Sequence, residues 1–205
     1  MTSRPAVGGL VRNRTIVAAP TFLVLIVALD VVQYSRNWPV PVVGLLDEPA
    51  HLLTAALVLL ALPTRFWQRN AGWVLLGSVA LDIDHVPLFL GDAGFAVDGG
   101  RPPTHSLVTV VVLILGAAAV PGLRRGLGAF ALGVGLHLLR DVATGPGIPL
   151  LWPLARAVVT VPYLAYLTLL GLLTGLALVR AGLGHRSPTM NPLPAEQFDR
   201  RKTCG

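Results

Sequence analysis

Residues 71–90 read AGWVLLGSVALDIDHVPLFL, an apolar stretch interrupted by Asp82, Asp84 and His85. A helix that crosses a bilayer needs roughly 20 apolar residues, so the length fits a membrane span. The three ionisable residues do not fit it so easily. Each costs roughly 2.5–3.5 kcal/mol at the centre of an inserted helix, so a group of three calls for a functional reason. Helical spacing places Asp82 and His85 on one face and Asp84 well round from Asp82.

The rest of the chain extends the same reading. It has 205 residues, 54% hydrophobic and 13% charged, with a mean hydropathy of +0.70. Soluble domains carry about 25% charged residues. The composition excludes a water-soluble enzyme and a disordered chain, and it points to an integral membrane protein. Further apolar stretches lie near 15–34, 47–63, 105–122, 127–143 and 158–180. Together they predict an all-α, polytopic transmembrane helical bundle of about six spans, contained in residues 1–184. The first stretch lacks a small-residue cleavage site and reads as a retained span. Residues 185–205 are polar and rich in Pro and Arg, which predicts a disordered cytoplasmic tail. The single cysteine, Cys204, excludes an intramolecular disulfide and a Cys-rich zinc finger.

The net charge of +6 follows membrane topology. All 16 Lys and Arg residues except Arg36, Arg101, Arg140 and Arg156 fall on one side of the six predicted spans. The positive-inside rule then puts both termini in the cytoplasm. Arg200, Arg201 and Lys202 form too short a run to argue for nucleic acid and read as part of that signal.

Four polar clusters fall on four consecutive spans, at 47–51, 82–85, 101–106 and 137–147. The first holds Asp47, Glu48, Pro49 and His51, with Pro49 expected in the first turn of its helix. The second holds Asp82, Asp84 and His85. The third holds Arg101, Thr104, His105 and Ser106. The fourth holds His137, Arg140 and Asp141, followed by Thr144 and Gly147. Asp47 and His51 share a helix face at a spacing of four, as do His137 and Asp141. Alternating span direction brings all four clusters to the outer membrane level. His185 alone among the five histidines lies elsewhere, in the tail.

Imidazole and carboxylate without thiolate suit zinc, manganese or iron. The expected ligands are His51, Asp82, His85, His105, His137 and Asp141, a set larger than one tetrahedral zinc needs. The surplus suits two divalent ions, or one ion with carboxylates that orient the imidazoles. Asp84 suits bridging or orienting. Glu48 or Asp47 suits a general base. Arg101 and Arg140 suit an anionic group such as phosphate, and Thr104 and Ser106 suit hydrogen bonds to substrate or ligands. Read alone, Arg140 pairs with Asp141 or snorkels to the surface, and Asp30 is an interfacial span end.

The clusters resemble the YdjM-like family of bacterial inner-membrane metal-dependent hydrolases. The family pattern has a His-containing turn that opens a helix, then Gly-Ser-x-x-Pro-Asp-x-Asp-His, Arg-Gly-x-Thr-His-Ser, and Gly-x-x-x-His-x-x-x-Asp-x-x-Thr-x-x-Gly running into Trp-Pro. Here the matching positions are His51; Gly77, Ser78, Asp82, Asp84 and His85; Arg101, Thr104, His105 and Ser106; and Gly133, His137, Asp141, Thr144, Gly147, Trp152 and Pro153. Leu81 replaces the usual proline, Pro102 a glycine, and Gly100 a histidine that often precedes the arginine. The Thr-His-Ser and His-x-x-x-Asp elements are also similar to those of zinc-dependent phospholipase C. The resemblance implies a multi-pass protein of the bacterial inner (plasma) membrane.

Residues and resemblance together lead to the expectation of a membrane-embedded metal-dependent hydrolase with its site at the extracytoplasmic face. Zinc is the first choice of ion, with one or two ions bound. The expected partner is membrane lipid, and the expected substrate a lipid or other amphiphilic phosphoester. The alternatives are a proton- or ion-coupled transporter, whose pathways also use intramembrane acids and histidines, and a non-enzymatic regulatory membrane protein.

Overall fold

The computed structural model describes residues 6–86, 96–97 and 100–183. Six α-helices lie among them: α1 Ala6–Tyr34, α2 Val40–Ala61, α3 Thr64–Ala80, α4 Leu107–Ala119, α5 Arg124–Thr144 and α6 Tyr163–Leu183. A 3-10 segment, Leu81–His85, continues α3. No strand occurs among the described residues beyond an isolated antiparallel bridge between Ile148 and Val159. The end of the third expected stretch, at 87–90, and the expected tail at 185–205 lie outside the described residues.

Four helical segments are long and apolar enough to cross a membrane: Asn13–Tyr34, Pro41–Ala61, Arg124–Thr144 and Tyr163–Leu183. α4 is apolar but has 13 residues. At 1.5 Å per residue it extends about 20 Å, short of a hydrocarbon core of about 30 Å. α3 has 17 residues and starts with Arg65, Arg69 and Asn70.

The outer surface is that of a protein in lipid. Val17, Val24 and Val31 recur every seven residues along α1 and are 66%, 65% and 64% exposed. A face of this kind is an interaction surface, and on helices of this length its natural solvent is the bilayer. The interior is inverted in the same sense. Asp30, His51, Thr54, His105, His137, Arg140 and Asp141 are among the most buried side chains.

α5 occupies the middle, packed against α2, α3, α4 and α6. Ala19, Ile26, Leu57, Ala61, Leu170 and Ala177 join α1, α2 and α6. Ala55, Leu59, Val74, Ala129 and Leu136 join α2, α3 and α5. The closest approach is between α3 and α5, at Gly77 and Gly133. A Cβ on Gly133 would lie 2.9 Å from Gly77 Cα and 2.9 Å from Ser78 N, and would collide with the Val74 carbonyl. Such contact is open only to glycine, which lets two helix backbones touch.

α1 and α3 begin at Ala6 and Thr64, ahead of the expected 15 and 71, and α6 at Tyr163, after the expected 158; two further boundaries differ for local reasons. α2 starts at Val40, after Pro39 in an extended conformation and with Pro41 in its opening turn. Proline is pre-organised for that position. Asp47, Glu48 and Pro49 are therefore interior to α2, and Pro49 is not in its first turn as expected. It leaves the carbonyl of Leu45 without its helical donor. α4 begins at Leu107, two residues after His105, which leaves His105 on a turn whose backbone N–H donates to Pro102 O at 3.0 Å. The connection from α5 to α6 returns to this point, where Leu107 N donates to Leu150 O at 2.9 Å.

Candidate metal centre

The centre lies where the ends of α3 and α5, the start of α4 and the first half of α2 meet. Each contributes by a different local device. α2 carries Asp47 and His51 one turn apart, and His51 Nε2 stands 3.6 Å from Asp47 Oδ2. The 3-10 segment eclipses residues three apart, so His85 Nδ1 comes within 3.2 Å of Asp82 Oδ1. The turn before α4 supplies His105. α5 carries His137 and Asp141 one turn apart, with Nε2 and Oδ2 separated by 3.3 Å.

The glycine crossing decides how His137 is aimed. Because α3 and α5 touch at Gly77 and Gly133, His137 Nδ1, one turn beyond Gly133, lies 2.9 Å from the backbone carbonyl of Ser78. This contact sets Nδ1 as the donor and turns Nε2 toward the other histidines and acids. His105 Nδ1 lies 3.4 Å from Asp84 Oδ2, near it but without a hydrogen bond among the described residues. Asp84 in turn accepts a hydrogen bond from the Thr104 hydroxyl. Asp84 was expected well round the helix from Asp82, yet both meet the same histidines. His85 Nδ1 lies 3.0 Å from Asp84 Oδ1, and His105 Nε2 lies 3.2 Å from Asp82 Oδ1.

All six expected ligands are brought together. His105 Nε2 and His137 Nε2 are 3.3 Å apart. Asp82 Oδ1 is 3.4 Å from His137 Nε2. Asp141 is 3.6 Å from His51 Nε2 through Oδ1 and 3.5 Å from His105 Nε2 through Oδ2. The rings of His51 and His137 stack with centroids 3.9 Å apart. With bonds of about 2.0–2.2 Å, the donors on a tetrahedral ion stand about 3.3–3.6 Å from one another, which is close to the spacing seen.

Hydrogen bonding agrees with a metal. Both ring nitrogens of His51 and both carboxylate oxygens of Asp141 are buried and make no hydrogen bond among the described residues. Buried polar atoms are normally satisfied, and each one left over needs an explanation. A divalent cation would supply one for donors of this type.

Arg140 departs from all three of its expected roles. It is fully buried, and its partners are Asp30 and Asp47 in place of Asp141, the surface or a substrate. Nη2 donates to Asp30 Oδ1 at 2.5 Å and to Asp47 Oδ1 at 2.9 Å. Asp30 is correspondingly interior, only 2% exposed. It also accepts from the Tyr163 hydroxyl at 2.7 Å. Tyr166 OH lies 2.6 Å from Thr54 Oγ1. This network ties α1, α2, α5 and α6 together and holds Asp47 beside His51. Tyr163, Tyr166, Thr54 and Asp30 were not anticipated as part of it. An acid inside a span is a signal that a partner exists, but the sequence does not say which one.

Arg101 remains at the centre, with Nη2 3.6 Å from Asp141 Oδ1 and Nη1 3.4 Å from His85 Nε2. Ser106 Oγ donates to the Pro103 carbonyl at 2.9 Å and shapes the turn that carries His105. A cleft of about 940 Å³ opens beside these groups. Trp38, Pro41, Leu45 and Leu52 contribute apolar wall, and Glu48, Asp82, His85 and Arg101 contribute polar lining. Glu48 Oε2 is buried and has no hydrogen-bond partner among the described residues.

The family model described as YdjM inner membrane protein matches residues 46–194, well over half of the chain. No curated protein and no solved structure matches.

Proposed function

The chain belongs to the YdjM inner membrane protein family, a multi-pass protein of the inner membrane, and on that premise we propose that it is a metal-dependent hydrolase of amphiphilic phosphoesters. The observation that carries the reading is the convergence of four histidines and two aspartates, with donor separations of 3.2–3.6 Å, beside a cleft with an apolar wall. His51, Asp82, His85, His105, His137 and Asp141 would hold the metal, with zinc the first choice for this donor set. Its chemistry, when bound, is Lewis acidity toward a phosphoryl oxygen and activation of water.

The chain's own groups take the remaining roles. Arg101 presents a guanidinium beside the ligands, suited to a phosphoryl oxygen. Glu48 lines the same cleft with a carboxylate oxygen that no protein donor uses, and it takes the proton of the attacking water. Asp47 is engaged by Arg140 and positions His51, so Glu48 is the better base. Trp38, Leu45 and Leu52 exclude water and receive the apolar part of the substrate. The six spans, cytoplasmic termini and extracytoplasmic site belong to this proposal and rest on the distribution of Arg and Lys.

The test is hydrolysis by the detergent-purified, metal-loaded chain of phosphomonoester and phosphodiester amphiphiles in mixed micelles. Turnover is expected, together with its loss in Glu48→Gln while bound metal is retained. If the metal-replete protein releases no product from any of them, the hydrolase reading fails.

A further inference from the structure

We propose that the centre is dinuclear, with one divalent ion on His51, His137 and Asp141 and a second on Asp82, His85 and His105. The proposal deepens the metal reading above and rests on it. Each group of three offers donor atoms that lie within 4.8 Å of one another. The division follows the helices: the first ion joins α2 to α5, and the second joins the 3-10 segment to the turn before α4.

The two groups meet along one seam. His105 Nε2 of one group and His137 Nε2 of the other are 3.3 Å apart. Each carboxylate also reaches across, Asp82 Oδ1 to within 3.4 Å of His137 and Asp141 Oδ2 to within 3.5 Å of His105. An oxygen that faces the donors of both groups is placed to bridge two ions. Two-metal sites use such neighbours to grip the attacking and leaving oxygens of a phosphoryl group.

Burial points to an ion at the first of these groups. His51 and Asp141 are each 1% exposed, and none of their side-chain nitrogens or oxygens makes a hydrogen bond among the described residues. An ion held only by Asp82, His85 and His105 leaves those atoms unsatisfied.

The full chain, purified in detergent and reconstituted with zinc, should carry two equivalents of metal by elemental analysis. His51→Ala and His85→Ala should each retain about one. One equivalent in the parent chain overturns the dinuclear assignment, and none overturns it along with the metal reading beneath it. Manganese loading of the parent chain gives a measurement that depends on no variant. An exchange-coupled electron paramagnetic resonance spectrum supports two neighbouring ions, and an isolated six-line spectrum at saturation overturns them. Two equivalents without phosphoester turnover would leave the dinuclear centre standing and reject the hydrolase. One equivalent with turnover would do the reverse.

Discussion

Arg140 and Asp30 form a buried, two-armed ion pair between α5 and α1, with Nη2–Oδ1 at 2.5 Å and Nη1–Oδ2 at 3.4 Å. The paired geometry is specific to guanidinium and carboxylate. Arg140 Nη2 also donates to Asp47 Oδ1, at 2.9 Å, together with Nε at 3.1 Å, and Asp47 stands beside His51, so a contact outside the expected ligand set reaches the candidate metal centre.

Removing one partner of such a pair leaves an uncompensated buried charge, at a cost of roughly 3–5 kcal/mol. Arg140→Met is therefore expected to lower the thermal midpoint of the detergent-solubilised protein sharply. The triple variant Arg140→Met, Asp30→Asn, Asp47→Asn should recover much of that loss. If the single variant melts like the parent, the network does not hold the bundle together.

The α3–α5 crossing gives a second prediction with an internal control. Gly133→Ala places a methyl group against the Val74 carbonyl and Gly77, and overpacking of this kind costs about 1–3 kcal/mol. It should also part His137 from Ser78 and weaken metal binding. Gly135→Ala, on the same helix with nothing within 4 Å of the new Cβ, should leave both unchanged. Chelator competition and thermal melting check the pair.

Asp84 faces the far nitrogen of His105 and is itself held by Thr104. Loss of an orienting partner of this kind typically lowers metal affinity 10–100-fold. Asp84→Asn and Thr104→Val should each weaken zinc binding, with Asp84→Asn the stronger, while stability in the absence of metal stays close to that of the parent.

Arg101 reaches Asp141 and His85 at 3.4–3.6 Å and lines the cleft. Arg101→Gln should raise KM for an anionic phosphoester at least tenfold while metal content is unchanged. An unchanged KM would remove Arg101 from substrate binding.

Chelation gives a fifth check. On the proposed metal reading, strong chelators should lower the thermal midpoint, because an ion bound to the folded chain stabilises it and its removal leaves buried donors unmatched. Added zinc should restore the midpoint.

The clustering of the expected ligand residues was legible because pairs such as His137 and Asp141 sit one helical turn apart in apolar surroundings, where both spacing and cost stand out. The 3-10 geometry was not legible. Asp84 looks remote from Asp82 on an α-helical wheel, and only the change of helix type after Ala80, together with the approach of His105, lets both meet the same imidazoles. Arg140 was misassigned because Asp141 is its neighbour in sequence, whereas its partners Asp30 and Asp47 come from helices far earlier in the chain. Tyr163 and Tyr166 carry no spacing signal at all; tyrosines at the start of a span look like interfacial anchors. The start of α2 was displaced because apolar content marks the buried part of a helix, while Pro39 and Pro41 mark its true beginning.

The cleft beside the centre is walled by the end of α1, the start of α2 and the turns around Arg101 and Gly145, all at the same pole of the bundle. Among the described residues, it reaches Asp82 and His85 from that pole. The compartment facing that pole would set both the metal supply and the molecules on offer.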